Sequence, residues 1–472
     1  MKRRDLFKLG ALTGATLLLP AQRLVAAATG QPHGIAAFTV PLRIPPVLHP
    51  YRRTLHTDFY HVTQREADVE ILPGTTTRLY TYNGAFPGPT IRAVRGRQVV
   101  IHQTNALPVH TSVHLHGAHV APDSDGHPTD LIHTGHSKDY RYPNTQLAAT
   151  LWYHDHAHHG EAESVFRGLA GFYLIRDLYE HGLPSGKYDI PLMFRDIHLD
   201  ERARVVYQAP DPGGRNIVLV NGVPQPFFRV AARKYRLRLL NAANDRAFKF
   251  ALSNGANLVQ IASDGGLLPA TVTTPVVELW PAERAEVIVD FSRLPIGAKV
   301  VLRNQFGESD AAVNLLRFEV TRRASDHSRI PTDRELPDLP PLGLRNAVHR
   351  DVTVAFDPAQ RHFTLNGKTF DPDRVDFTVR QNQLEVWTVR NTDPVGFAHN
   401  FHVHLVQFRV LDRNGAPPPP GERGWKDTVT VGPGQTVRIA SRFTGYTGRY
   451  VFHCHLIDHA TAGMMGQLEV VR

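Results

Sequence analysis

YTYNGAFPGPTIRAVRGRQVVIHQTN, residues 80–105, reads as a tight turn at Asn83-Gly84, a stretch broken by proline and glycine, and an alternating strand ending at Asn105. Asn-Gly is favoured in two-residue hairpin turns because both residues tolerate the positive φ that matches the twist of the flanking strands. The same layout returns in VLVNGVPQPFFRVAARKYRLRLLNA, residues 218–242, and in FTLNGKTFDPDRVDFTVRQNQLEVWTVRN, residues 363–391. There the turns are Asn221-Gly222 and Asn366-Gly367, and the strands end at Asn241 and Asn391. Successive turns lie 138 and 145 residues apart, far beyond the roughly 20–50 residues of a solenoid repeat, so the unit is a duplicated domain. Short strands rich in Val, Ile and aromatics between Gly/Pro turns predict β-sandwiches. Three β-domains in tandem are expected, with linkers around Tyr179–Lys187 and Ile330–Leu342.

A chain of 472 residues with 42% hydrophobic and 21% charged residues is globular, neither disordered nor a polytopic membrane protein. Its single cysteine, Cys454, excludes an intrachain disulfide and a Cys-rich zinc site. Beside it stand 27 histidines, an imbalance that suits a metal protein other than a zinc finger. The first 28 residues have the three-part layout of an export signal: a charged opening at Lys2-Arg3-Arg4, an apolar run from Leu9 to Leu19, and small residues at Ala26-Ala27-Ala28. The run is too short to span a bilayer. Arg3-Arg4 before Leu6-Phe7-Lys8 resembles the twin-arginine type, which hands folded proteins to the twin-arginine export machinery; an ordinary secretory signal is the alternative. Either places the mature chain in the periplasm or outside the cell. Of the net charge of +9, the leader carries Lys2, Arg3, Arg4, Lys8 and Arg23 against Asp5. What remains is modest and forms no basic block with interleaved aromatics, so nucleic acid is not a partner.

Four short segments concentrate the chemistry: His114-Leu115-His116-Gly117; His154-Asp155-His156; His399-Asn400-Phe401-His402-Val403-His404; and His453-Cys454-His455 followed by Asp458, His459 and Met464. Side chains at i and i+2 of a strand share a face, so each His-x-His can offer two imidazoles to one metal cluster. A lone His-x-His is background, and the outlying His119, His127, His133, His136, His158 and His159 read as loop histidines and Met465 as packing. Two pairs from the first unit and two from the third place the cluster between those units. In the middle unit the position equivalent to His114 is Phe250. Because His453 and His455 point to one face, the Cys454 sulfur points to the other. A thiolate with two imidazoles and a long axial methionine is a blue-copper arrangement, and His399, Cys454, His459 and Met464 supply it. A few extended residues, on the order of 10 Å, would join it to the imidazole cluster.

These segments, in this order, resemble those of the multicopper oxidases, and the likeness runs through the whole mature chain. Trp152–Asp177, Arg233–Asp245, Ser263–Pro269 and Gly424-Trp425-Lys426-Asp427-Thr428 are similar to the three-domain bacterial type, which includes spore-coat laccases, bilirubin oxidases and copper-efflux oxidases. The resemblance implies an all-β fold of three tandem cupredoxin-like Greek-key sandwiches, at 50–178, 187–325 and 345–472, after a leader at 1–28. It implies four copper ions. One type 1 ion would sit on His399, Cys454, His459 and Met464, and one type 2 ion on His114 and His402. A type 3 pair would sit on His116, His154, His156, His404, His453 and His455. A small aromatic reductant, a phenol or aromatic amine, would give electrons singly through an edge of His399 or His459, and O2 would be reduced to water. Asp125 matches an acidic residue the family uses near the cluster. The glutamate that commonly follows the type 1 histidine is Ala460 here, which turns attention to Asp458 and Asp125 for proton supply; the usual His-Pro is His399-Asn400. Two other readings stay open: a cuprous oxidase for copper tolerance, disfavoured because Met1, Met193, Met464 and Met465 make no methionine-rich segment, and a non-catalytic cell-envelope or division factor. Axial Met464 implies a moderate type 1 potential.

Overall fold

The computed structural model describes residues 36–177, 180–208, 214–307 and 309–472; the leader expected at 1–28 lies outside them. The strands form six sheets that pair into three sandwiches. The first unites two five-stranded sheets, with strands from Val47–Leu48 to Ala170–Arg176. The second packs a seven-stranded sheet on a five-stranded one, from Asp189–Ile197 to Asn314–Arg323, and the third again pairs five with five, from Val348–Asp357 to Met465–Val471. A separate apolar core fills each sandwich, built around Tyr60, Ile101 and Leu151 in the first, Leu237, Phe250 and Phe318 in the second, and Val389, Phe401 and Phe452 in the third. No described helix is long and apolar enough to cross a membrane.

The repeated asparagines do the same work three times. Asn83, Asn221 and Asn366 have φ of 56°, 49° and 52°, and their glycines come next at 76°, 79° and 71°, the left-handed pair a two-residue hairpin needs. Each asparagine also uses its side-chain oxygen to accept from a neighbouring strand, from Thr63 N–H at 2.7 Å, Met193 N–H at 2.8 Å and Thr353 N–H at 2.7 Å. The strand-ending asparagines are equally alike. Asn105 donates to the carbonyls of Val109 and Ile132, Asn241 to Arg246 and Leu279, and Asn391 to Phe397 and Val431. Each Oδ1 accepts from the N–H two residues on, at Leu107, Ala243 and Asp393. Buried carbonyls that the sheet leaves unpaired are thereby satisfied where the chain crosses from one sheet to the other. The strands these residues end, Gln98–Asn105, Lys234–Asn241 and Leu384–Asn391, each lie parallel to an earlier strand of their unit, Thr57–Leu72, Asp189–Ile197 and Val348–Asp357.

Pairing register then places the histidines. Val113–His116 runs antiparallel to Thr150–Asp155 with His114 opposite His154. His399–Val403 runs antiparallel to Gly448–Cys454, with His402 opposite His453 and Phe401 opposite Cys454. Alternation puts Cys454 and Phe401 into the third core and turns His402 and His453 out of it, toward the first sandwich. Phe250 is fully buried in the second core, so the equivalent of His114 is spent on packing. Two short helices, Glu161–Arg167 and Ile457–Thr461, meet across the boundary of the first and third sandwiches through Ala162, Val165 and Ile457.

Candidate metal centre

Among the described residues, His, Cys and carboxylate atoms converge in five groups of three, with the donor atoms of each within 4.8 Å of one another. They are His114–His116–His402, His116–His154–His455, His156–His404–His453, His114–Asp125–His404 and His399–Cys454–His459. All are buried. The imidazole groups mix residues of the first and third sandwiches, and rings from the two stack directly: His114 on His404 at 3.7 Å and His116 on His402 at 3.9 Å between centroids.

The second nitrogen of nearly every ring is fixed by an oxygen. His114 Nδ1–H donates to the Asp125 carbonyl at 2.6 Å, His154 Nδ1–H to the Asp155 carbonyl at 2.8 Å, His402 Nδ1–H to the Asp427 carbonyl at 2.7 Å and His453 Nδ1–H to the Cys454 carbonyl at 2.9 Å. Carboxylates hold three more: Asp125 Oδ2 accepts from His404 Nδ1 at 2.7 Å, Asp427 Oδ1 from His116 Nε2 at 2.9 Å, and Glu161 Oε2 lies 2.8 Å from His156 Nδ1. Carbonyl and carboxylate oxygens only accept, so the nitrogens facing them carry the proton and the others present lone pairs inward. Those lone pairs have nothing to bind: Nε2 of His114, His154 and His402, Nδ1 of His116 and both nitrogens of His455 are buried without a partner. His453 Nε2 faces His156 Nε2 at 3.2 Å and His404 Nε2 at 3.3 Å. Nitrogens about 2.0 Å from a shared ion sit about that far apart, so the donor set fits cations.

Electrostatics agree. Burial, with neighbouring imidazoles adding to it, pushes His114, His116, His402, His404 and His455 well below the ordinary histidine value and His154 and His453 down to about 3. All seven are neutral at neutral pH. His156 goes the other way: burial opposes its charge, but Glu161 beside it prevails and raises the pKa, while the Glu161 carboxyl is lowered in turn. Burial pushes the Asp125 carboxyl up to about 7.

The cysteine site lies in the third core. Cys454 Sγ is 3.8 Å from both His399 Nδ1 and His459 Nδ1, which are 3.2 Å from each other. His399 Nε2–H donates to Asp393 Oδ2 at 3.0 Å. Met464 is buried in the same apolar cluster and tied by its backbone to Cys454 and His459. Of the two edges considered for electron entry, His399 is fully buried, while His459 retains 6% exposure. Phe363 stacks on the His459 ring at 3.7 Å.

Asp125 lies among the imidazoles; Asp458 does not touch them. The Asp458 carboxylate pairs with Arg215 at 2.6 Å and accepts from Tyr207 and Asn244, which ties the turn carrying His459 to the middle sandwich. The carboxylates that do touch candidate ligand rings include Glu161, Asp393 and Asp427, none of which the sequence had singled out for this. Asp427 alone carried a signal, since it lies in the Gly424–Thr428 segment. His119 and His127 are not idle loop histidines, for they bond across to the third sandwich at Thr444 O and Gln467 Oε1, both 2.9 Å. Met465 packs beside Ala460 and Val451 as expected.

Family models described as multicopper oxidase match residues 63–179 and 342–472. The chain is 36% identical to a laccase of Bacillus stratosphericus, over 92% of this chain and 99% of that protein. It is 32% identical to the cell division protein FtsP of Escherichia coli, over 97% of each. Among solved structures, a laccase from Pediococcus acidilactici superposes with a TM-score of 0.86 at 32% identity, covering 95% of both chains.

Proposed function

This chain belongs to the multicopper oxidase family, and from that premise we propose that it is a laccase-like enzyme, oxidising phenols or aromatic amines one electron at a time and reducing O2 to two waters with four electrons and four protons. The observation that carries this reading is the aromatic face over His459. Phe363 covers the ring, and Phe397, 39% exposed, lies 6.1 Å from His459 and 5.9 Å from Phe363 between centroids. An aromatic donor resting on Phe397 gains ring–ring contact beside the one ligand edge of that site that retains exposure.

His399, Cys454, His459 and Met464 would hold the type 1 copper. His114 and His402 would hold the type 2 ion, His116, His154 and His455 one type 3 ion, and His156, His404 and His453 the other. Copper at these places supplies one-electron redox chemistry and the binding of O2. The chain supplies the rest. Cys454 is joined through its own backbone to His453 and His455, a short covalent path from one site to the other. Asp125, with its carboxyl near 7, can hold a proton at Oδ1, which is buried without a partner while Oδ2 orients His404. Glu161 keeps a negative charge beside His156. The Arg3-Arg4 segment supports export of the folded, copper-loaded chain.

Cuprous oxidation is disfavoured because Met193, Met464 and Met465 are all buried and offer Cu(I) no surface thioether. A non-catalytic envelope role, suggested by the likeness to FtsP, is disfavoured by ligands that remain complete and convergent. Oxygen uptake by the copper-loaded protein tests the choice. A methoxyphenol should drive it faster than Cu(I) at matched concentration. A strong preference for Cu(I) would overturn the laccase reading, and no uptake with either, at full copper, would favour the envelope role.

A further inference from the structure

We propose that Arg284, supplied by the middle sandwich that has no ligand of its own, is a positioning residue for the imidazole cluster, acting through Asp427 on His116 and His402. The inference rests on the reading of His116 as a type 3 ligand and His402 as a type 2 ligand.

Arg284 is fully buried, and its five N–H donors, the whole complement of a guanidinium, are matched by five bonds. Nε–H donates to the Thr150 carbonyl of the first sandwich at 2.9 Å. Within its own sandwich, Nη1 donates to the Ala282 carbonyl at 2.9 Å and Nη2 to the Asp264 carbonyl at 3.0 Å. The remaining donors form a fork on the third sandwich, Nη1 to Asp427 Oδ1 at 2.7 Å and Nη2 to Asp427 Oδ2 at 2.6 Å. The Arg284 N–H is held as well, by Asp264 Oδ1 at 2.8 Å. One side chain therefore registers three sandwiches against one another and fixes the plane of a single carboxylate.

That carboxylate sits between ligands. Asp427 Oδ1 accepts from His116 Nε2 and from Thr428 Oγ1, and the Asp427 carbonyl accepts from His402 Nδ1. His116 comes from the first sandwich and His402 from the third, and their rings stack through the same residue's grip. An independent trace of the clamp is Gly117, the residue after His116. It has φ +83°, and a Cβ there would stand 2.5 Å from Asp427 Oδ2 and 2.9 Å from Arg284 Nη2. The glycine of the first His-x-His-Gly segment is thus required by the approach of this pair.

Lysine keeps the charge but cannot reproduce a planar fork together with three carbonyl bonds. Arg284→Lys, produced as full chain and loaded with copper, is compared with the unmutated protein by blue absorption, the near-ultraviolet absorption of the type 3 pair, the type 2 electron paramagnetic resonance signal and copper per chain. The expected result is an unchanged blue band with the type 3 absorption reduced at least twofold, the type 2 signal reduced beside it, and copper per chain lowered to match. An undiminished type 3 absorption would overturn the inference, and so would equal loss of the blue band, the mark of a purely structural role. If Arg284→Lys does not fold, Asp427→Asn serves. Its amide can offer oxygen to His116 only by turning N–H toward Arg284, so the same loss with the blue band kept is expected and its absence overturns the inference. Absence of the type 2 and type 3 signals in the unmutated, copper-loaded protein would instead overturn the ligand assignment, and this inference with it.

Discussion

Burial pushes the Cys454 thiol up to about 12, so without a metal the sulfur stays protonated and inert at neutral pH. Its surroundings are two imidazole nitrogens and an apolar wall, an arrangement with little use except to a soft cation that displaces the proton. Cys454→Ser should therefore abolish the blue absorption while leaving the type 2 signal in place. The buried hydroxyl costs about 1–3 kcal/mol, too little to unfold the chain, and circular dichroism checks that point. A variant that stayed blue would sink the type 1 assignment. The convergence of the histidines could be read from the sequence because His-x-His at strand spacing puts two imidazoles on one face. Glu161 could not, because its bond to His156 depends on the turn from Ala157 to Gly160 that brings the first residue of the helix Glu161–Arg167 back to the ring. Nor could the fate of Asp458, adjacent to His459 in sequence yet bound by Arg215 from another sandwich.

At the scale of elements, the strand-ending asparagines are the informative parts. Each satisfies one buried carbonyl, one partly buried carbonyl and one N–H, and an alanine leaves the buried group unpaired at about 1–3 kcal/mol, with less for groups that water can reach. The loops they open lead to different places. Asn391 opens the loop that carries Asp393, whose carboxylate bonds His399, whereas Asn241 opens a loop toward Phe250 in a core without ligands. Asn391→Ala should lower stability by roughly 2–4 kcal/mol and also shift the blue band and the type 1 potential. Asn241→Ala should cost a similar amount in urea unfolding with both left unchanged. Equal spectroscopic effects from the two would show that the asparagine does not reach the copper through its loop. The triplicated fold was legible because turn and crossover chemistry are local and use the same residues each time. The full width of the seven-stranded sheet was less so: Ile217–Val220 and Val223–Pro224 flank the Asn221-Gly222 turn, but the edge strand Gly266–Thr274 is set by its pairing with Leu258–Ser263.

Across the whole molecule, the imidazole groups staple the first sandwich to the third, so copper content and proton balance act on the interface together. In the copper-free chain, His114, His116, His154, His402, His404, His453, His455 and His459 have pKa values below the ordinary one because burial disfavours their charge. Unfolded, they take protons below about 6.5; folded, His154 and His453 resist down to about 3. Unfolding therefore binds protons, and this contribution is lost as pH falls from about 6.5. Carboxyls oppose it: Asp125, Asp155 and Glu283, held up to about 7, and Asp245, at about 6, keep protons in the folded state that the unfolded chain releases, which favours folding as pH falls through the same window. Asp427 is raised as well. The imidazoles outnumber the raised carboxyls, so unfolding takes up protons on balance as pH falls below about 6.5. The copper-free protein should accordingly lose stability in urea as pH drops from 6.5 to 5, and stability that held or rose would contradict the buried, neutral imidazole cluster. Bound copper removes the acceptor lone pairs from this balance, so the loaded protein should keep a flatter profile until protons displace the metal. Measuring retained copper at each pH locates that break, which should coincide with the point where the two profiles converge.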